Sequence, residues 1–292
     1  MNAITDTMGL PTSTGAARSI GDILVSSGRL SALDADRVLQ RQQKDNSQFG
    51  DAALALKLLT REDIDFALSK QFDYAYLSAQ DTSLSPELIA AYKPFSRVGE
   101  NLRAVRSQLM LRWFNNDPAH KVIAMVSPGQ NEGRSFIAAN LAIVFAQQGQ
   151  RTLLIDGDLR KAHQHELFLL GKSAGLSGIL ADRAGMEAAL QVPGLAGLRV
   201  LPAGAVPPNP QELLGRPAFG ALLHAAAQQF DVVIIDTPAG TDYADAEIIA
   251  ARARAVIIVT RKNKSLVSDT ALLVCRLQDS GVMVVGSVLN DA

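Results

Sequence analysis

The stretch SPGQNEGRSFIAANLA, residues 127 to 142, sets two glycines, a cation and a hydroxyl within seven positions, Gly129 to Ser135. Gly129 and Gly133 permit a tight turn, and the N–H groups of Gln130, Asn131 and Glu132 between them would wrap phosphate oxygens. A helix opening near Ser135 and Phe136 would point its positive end at the same place. This is the order of a phosphate-binding loop, with Arg134 where such loops carry lysine. Lysine is a compact point charge, whereas arginine is a longer planar fork that takes phosphate oxygens two at a time. Charge is kept and geometry is not, which predicts a modified working site: nucleotide binding persists, and turnover is lowered or redirected. The Ser135 hydroxyl is placed for Mg²⁺. Two further stretches carry carboxylates, RTLLIDGD (151–158) with Asp156 and Asp158, and DVVIIDTP (231–238) with Asp236. A glycine turn alone is an ordinary strand-to-helix connection, and any one carboxylate alone caps a helix. Several carboxylates buried together need a cation, so the set as a whole points to a magnesium nucleotide.

These residues need strands to hold them. KVIAMVS (121–127), RTLLIDGD, LRVLPAG (198–204), DVVIIDTP, AVIIVTR (255–261) and VMVVGSVLN (282–290) are short β-branched runs with helix-length stretches between them. Continuous apolar character is that of strands covered on both faces. The expectation is an α/β fold from residue 98 to 292, a doubly wound, mostly parallel sheet with ligands at the carboxyl ends of its strands. Before it, SIGDILVSSGRLSALDADRVLQRQ (19–42) lies over QFGDAALALKLLTREDIDFALSKQ (48–71), with Ser31 and Thr60 as helix caps. Two copies of a helical pair predict a small domain over 18–77. Residues 1–17 are expected as a loose leader and 78–97 as a linker.

Composition excludes several classes. A net charge of −1 gives no overall field for nucleic acid or anionic lipid, leaving only local basic patches, and no nucleic acid is expected as a partner. The single cysteine, Cys275, forms no internal disulfide and points to a cytoplasmic setting. No run reaches the roughly 18 apolar residues of a membrane span, so work at a membrane would need recruitment by a partner.

With these motifs in order, the half from residue 98 resembles the bacterial tyrosine autokinases of exopolysaccharide synthesis, relatives of the MinD and ParA ATPases. GQNEGRS stands at their Walker A motif, LLIDGDLR at Walker A′ and VIIDTP at Walker B. Glu100, Arg103 and Arg106 match an E-x-x-R-x-x-R oligomerisation motif, although three-residue spacing alone gives ordinary surface pairs. The resemblance implies a P-loop fold, ATP and Mg²⁺ as cofactors, and a protein tyrosine as substrate. Partners would be other copies of the chain and a transmembrane chain-length determinant of the Wzz type that recruits it to the inner membrane. Asp156, Asp158 and Arg134 would be catalytic, with Ser135, Asp156 and Asp236 around the metal. Asn290 would contact the base. The family's tyrosine-rich tail is not found before Ala292, so phosphorylation of a tail in trans is not expected. Alternatives are a nucleotide-binding pseudokinase adaptor and a MinD-like ATPase switch.

The N-terminal repeat resembles the MshEN domain, which binds cyclic di-GMP. Gly21, Leu24, Gly28, Leu39 and Gln42 fit that motif in copy one, whereas copy two has Ala53 for leucine and Lys57 for glycine. His163 and His165 lack a zincin spacing and are read as a solvated loop. The RKNK cluster (261–264) is read as a polar helix entry.

Overall fold

The computed structural model describes residues 19–71, 76–78, 80–115, 117, 119–240 and 243–291. The expected leader and Tyr74 lie outside them. The chain divides into two units, 1–74 and 75–292.

The first unit holds α1 (Ile20–Ser26), α2 (Ala32–Asp45), α3 (Phe49–Ala55) and α4 (Arg61–Gln71), and the helices pack across the two copies, α1 against α4 and α2 against α3. The caps are those the sequence marks. The Ser31 hydroxyl accepts the Asp34 N–H at 3.0 Å, and Thr60 and Asp63 exchange hydrogen bonds in a capping box. Ser19 and Asp22 form another. Leu24, Leu30, Val38, Ala53, Leu59, Ile64 and Ala67 close a core between the helices. Leu24 is thus an internal packing residue, whereas Leu39 is exposed on α2 and Gln42 is half-buried there. Gly28 turns with φ +72°, and Lys57, its counterpart in copy two, adopts φ +54° despite its side chain.

The second unit begins earlier than the sequence suggests. Residues 78–97, expected as a linker, contribute Leu84, Leu88, Ala90 and Ala91 to the main core, together with Leu77. The short helix α5 (Ile89–Tyr92) lies within this stretch, followed by α6 (Arg97–Arg112). Its polar Ser, Asp and Pro residues disguise four leucines and alanines that are spaced irregularly and so escape a periodicity argument.

The sheet then alternates with helices: β1 (Val122–Val126), α7 (Arg134–Gln147), β2 (Thr152–Asp156), α8 (Gln164–Leu167), α9 (Gly175–Leu180), β3 (Leu190–Gln191), β4 (Leu198–Leu201), α10 (Pro210–Gly215), α11 (Pro217–Gln229), β5 (Val232–Asp236), α12 (Asp245–Ala253), β6 (Ala255–Arg261), α13 (Val267–Asp279) and β7 (Met283–Asn290). Strand order is β3-β4-β2-β5-β1-β6-β7, parallel except for the two-residue β3, which the sequence did not reveal. Helices cover both faces, so β1, β2 and β5 are buried almost throughout. The β2–β5 register pairs Thr152 with Val232 and, four steps on, Asp156 with Asp236. Two carboxylates thus arrive side by side at the carboxyl edge, where β1 delivers the glycine loop. Helix α7 is apolar nearly all round and runs through the core, fixing its first residues against the sheet.

A candidate nucleotide site at the strand tips

The loop from Ser127 to Ser135 turns through two left-handed residues, Asn131 at φ +56° and Gly133 at φ +91°. Three residues separate Gly129 from Gly133, one fewer than in the lysine-bearing loop pattern, and Asn131 supplies the second left-handed position, which asparagine tolerates. A Cβ at Gly133 would sit 2.1 Å from Asn290 Nδ2. The loop is fastened from beneath. Glu132 is buried, accepts the Gly129 N–H at 2.7 Å and accepts the Ser265 hydroxyl. Asn290 donates to the Glu132 carbonyl at 3.1 Å, and Arg261 and Lys264 donate to the Asn131 carbonyl. Glu132 and Asn290 therefore shape the loop, and Arg261 of the RKNK cluster joins them.

Above the loop opens a cleft of about 900 Å³. Gln130 to Phe136 line it, with Asp158, Arg160, Lys161, Tyr243 and Arg261. Asp156 and Asp236 lie beneath its floor, fully buried. The N–H groups of Asp158, His163 and Gln164 donate to Asp156 at 3.0–3.2 Å. Burial, and then the neighbouring Asp236 charge, push the Asp156 carboxyl well above the usual carboxylate range. Burial also raises Asp236, against the opposing pull of Arg134, Ser135 and Gln164. The Gln164 amide donates to Asp236 at 2.8 Å and to the Ser135 carbonyl at 3.1 Å, bridging strand tip and loop.

Arg134 turns inward. Its guanidinium donates to the Ser127 hydroxyl, and its Nε lies 3.5 Å from Asp236 Oδ1. Among the described residues it is the cation that Asp236 pairs with. Asp158 has a different setting: it opens to the cleft, while its Oδ1 accepts the N–H groups of Arg160 and Lys161 at 3.1 and 2.8 Å.

The model of the ATPase MipZ family matches residues 121–277. The tyrosine-protein kinase YwqD of Bacillus subtilis is 36% identical over 70% of this chain and 87% of its own length. The putative tyrosine-protein kinase CapB of Staphylococcus aureus is 31% identical over 73% of this chain and 92% of its own. The chain belongs to the bacterial tyrosine-protein kinases. The solved kinase domain of the Escherichia coli tyrosine kinase ETK superposes with a TM-score of 0.68 at 30% identity, covering 74% of this chain and 84% of that one. Membership carries nucleotide binding with it.

In this tyrosine kinase the candidate oligomerisation residues are already employed inside the chain. Arg103 donates to the Pro94 carbonyl at 2.6 Å and pairs with Glu100, and Arg106 donates to the Val144 carbonyl at 3.0 Å. They tie α6 to the turn that precedes it and to α7. His163 pairs with Glu166 at 2.7 Å, and among the described residues no group of three or more His, Cys, Asp or Glu side chains is arranged to hold a metal by itself. No helix among the described residues is long and apolar enough to cross a membrane. Sequence reasoning missed Gln164, Ser127 and the Arg160–Asp245 pair, whose two hydrogen bonds measure 2.7 and 3.2 Å. Only the place of Asp245 at the opening of a helix hints at the last of these.

Proposed function

We propose that this chain transfers the γ-phosphoryl group of ATP to tyrosine hydroxyls of protein. One observation carries the reading: Asp156 and Asp236 stand paired in register, buried beneath a glycine loop that Gln164 ties to them by donating to both the Ser135 carbonyl and Asp236. The donor set fits Mg²⁺, because two buried carboxylates are expensive without a cation and Mg²⁺ typically takes one or two carboxylates with substrate phosphates completing its shell. Ser135 and Asp236 would hold the ion, with Asp156 ordering the loop behind them. When bound, the ion would neutralise charge on the phosphate oxygens.

The chain's own residues divide the remaining work. N–H groups of the loop and of the first turn of α7 receive the phosphates. Arg134 holds the position of a cation beside Asp236 until nucleotide arrives, then turns its fork towards the phosphates. Asp158, open to the cleft and fixed by two N–H groups, takes the phenol proton. Of the two aspartates that the resemblance marks as catalytic, Asp158 rather than the buried Asp156 takes this role. The likeness to the exopolysaccharide autokinases supports a setting beside a membrane chain-length determinant.

The test is purified chain with γ-labelled ATP, Mg²⁺ and a random glutamate–tyrosine copolymer, with and without the cytoplasmic part of such a partner. Phosphotyrosine that disappears in Asp158→Asn supports the proposal. Bound ATP with no phosphotyrosine under any of these conditions overturns transfer and leaves the nucleotide-gated adaptor, the reading that the inward Arg134 favours.

A further inference from the structure

Gln164 is fully buried beneath the phosphate loop, and its side-chain amide is only half used. The Nε2 group donates to Asp236 Oδ2 at 2.8 Å and to the Ser135 carbonyl at 3.1 Å. Both partners are pure acceptors, so they fix which end of the amide faces them: the NH₂ group does, and the oxygen is turned away. That oxygen, Oε1, is shut off from solvent, and among the described residues no donor reaches it. Buried polar atoms are paired in the great majority of cases, and this one is held at the strand tips, ready for a donor that arrives with a ligand.

Its surroundings say what kind of donor that is. Asp156 Oδ1 already accepts the Asp158 N–H, and Asp156 Oδ2 accepts those of His163 and Gln164. Asp236 Oδ1 accepts the Thr237 N–H, and Asp236 Oδ2 is the partner of the Gln164 amide. The two carboxylates therefore keep few lone pairs for the protons of a hydrated cation. Mg²⁺ dehydrates reluctantly and carries several waters into its sites, each with protons to place. A neutral oxygen adds acceptor capacity there without setting a third negative charge beside two buried carboxylates.

Resting on the magnesium-nucleotide part of the reading above, we infer that Gln164 is a positioning residue for the metal. Its Oε1 accepts a hydrogen bond from a water that Mg²⁺ retains, while its Nε2 holds Asp236 and the first turn of α7 in place. One amide thus joins strand tip, loop and hydration shell. Outer partners of this kind typically change metal affinity by about 10–100-fold.

Two variants separate the oxygen from the NH₂ group. Gln164→Met keeps the length and removes both, whereas Gln164→Glu keeps an acceptor and loses the NH₂ donors. Calorimetry on the full chain gives the ADP affinity with Mg²⁺ and with EDTA, and the ratio of the two is the metal's contribution. The ratio should fall about tenfold or more in Gln164→Met and be kept or raised in Gln164→Glu. Melts without nucleotide check that each variant is folded at the assay temperature, with Gln164→Leu standing in should the methionine variant not be. An unchanged ratio in Gln164→Met overturns the inference, because the amide then only braces the loop. Equal falls in both variants overturn it too, since they assign the effect to the NH₂ group. A parent chain whose ADP affinity ignores Mg²⁺ overturns both the inference and the magnesium reading. Copolymer phosphorylation, run in parallel, tests transfer separately: its absence with the ratios as expected removes the kinase reading and leaves Gln164 in its role.

Discussion

Removing the Arg134 guanidinium leaves Asp236 with no opposing charge in a site where both side chains are nearly inaccessible, 9% and 1% exposed. Unit charges 3.5 Å apart attract by about 5 kcal/mol at an effective dielectric constant of about 20. Part of that attraction offsets the desolvation of the arginine itself, which Arg134→Met relieves. The residual effect should fall in the range for breaking a buried pair, about 3–5 kcal/mol. For a unit of this size that is a fall in Tm of roughly 6–20 °C, at about 2–4 °C per kcal/mol. The assay is a thermal melt without nucleotide or metal, on the parent chain, Arg134→Met, Asp236→Asn and the double variant. The pair acts as a unit, so the double variant should recover most of the loss, with a coupling of roughly 2–3 kcal/mol. A single variant that melts within about 2 °C of the parent, or two effects that simply add, refutes the claim that Arg134 serves as the resident cation of this site.

Asp158→Asn should lower tyrosine phosphorylation by about 10²–10⁴-fold while nucleotide affinity, read by calorimetry, changes little. Gly133→Ala should weaken nucleotide binding at least tenfold, and adding Asn290→Ala should restore it only in part, because φ +91° strains any side chain even after the 2.1 Å clash is gone. Asp156 and Asp236 both titrate above the usual carboxylate range, so the folded chain binds their protons more tightly than the unfolded one. Their contribution to stability is greatest below the unfolded carboxylate pKa and is lost as pH rises from there through the folded values. Melts of the nucleotide-free chain between pH 4 and 8, compared with a variant carrying Asn at both positions, should show that loss in the parent alone. Lys57→Gly should slow amide exchange in the first unit by the equivalent of roughly 0.5–1 kcal/mol, because glycine adopts φ +54° without strain.

The central strands β1, β2 and β5 were legible because both faces of the sheet are covered there: each run is almost wholly apolar, and β2 and β5 end in aspartate. The residues at those ends were legible for the same reason, since Asp156 and Asp236 interrupt apolar runs where the chain turns out of the sheet. Side-chain direction was not. Nothing in the order of residues tells that Arg134 bends back onto Asp236, that Glu132 points down to Ser265, or that Asp158 rather than Asp156 faces the cleft. The first two outcomes depend on neighbours that arrive from 102 and 133 residues away. The stretch 78–97 misled because polar residues outnumber its core leucines, and β3 is too short for any pattern. Gln164 is a neutral residue beside two histidines, and only its place beneath the loop makes it a bridge between Asp236 and Ser135.

The stretch that first looked like a linker has one further consequence. Asn140 and Gln147, both on α7, hold Ala90 by its N–H and its carbonyl, each at 2.8 Å, and the Leu77 N–H donates to the Ala91 carbonyl at 2.8 Å. Residues 77–91 are thus pinned, within the second unit, to the helix whose opening turn carries Arg134 and Ser135. Displacing residues 77–91 would therefore reach the phosphate cradle along α7 without anything entering the cleft.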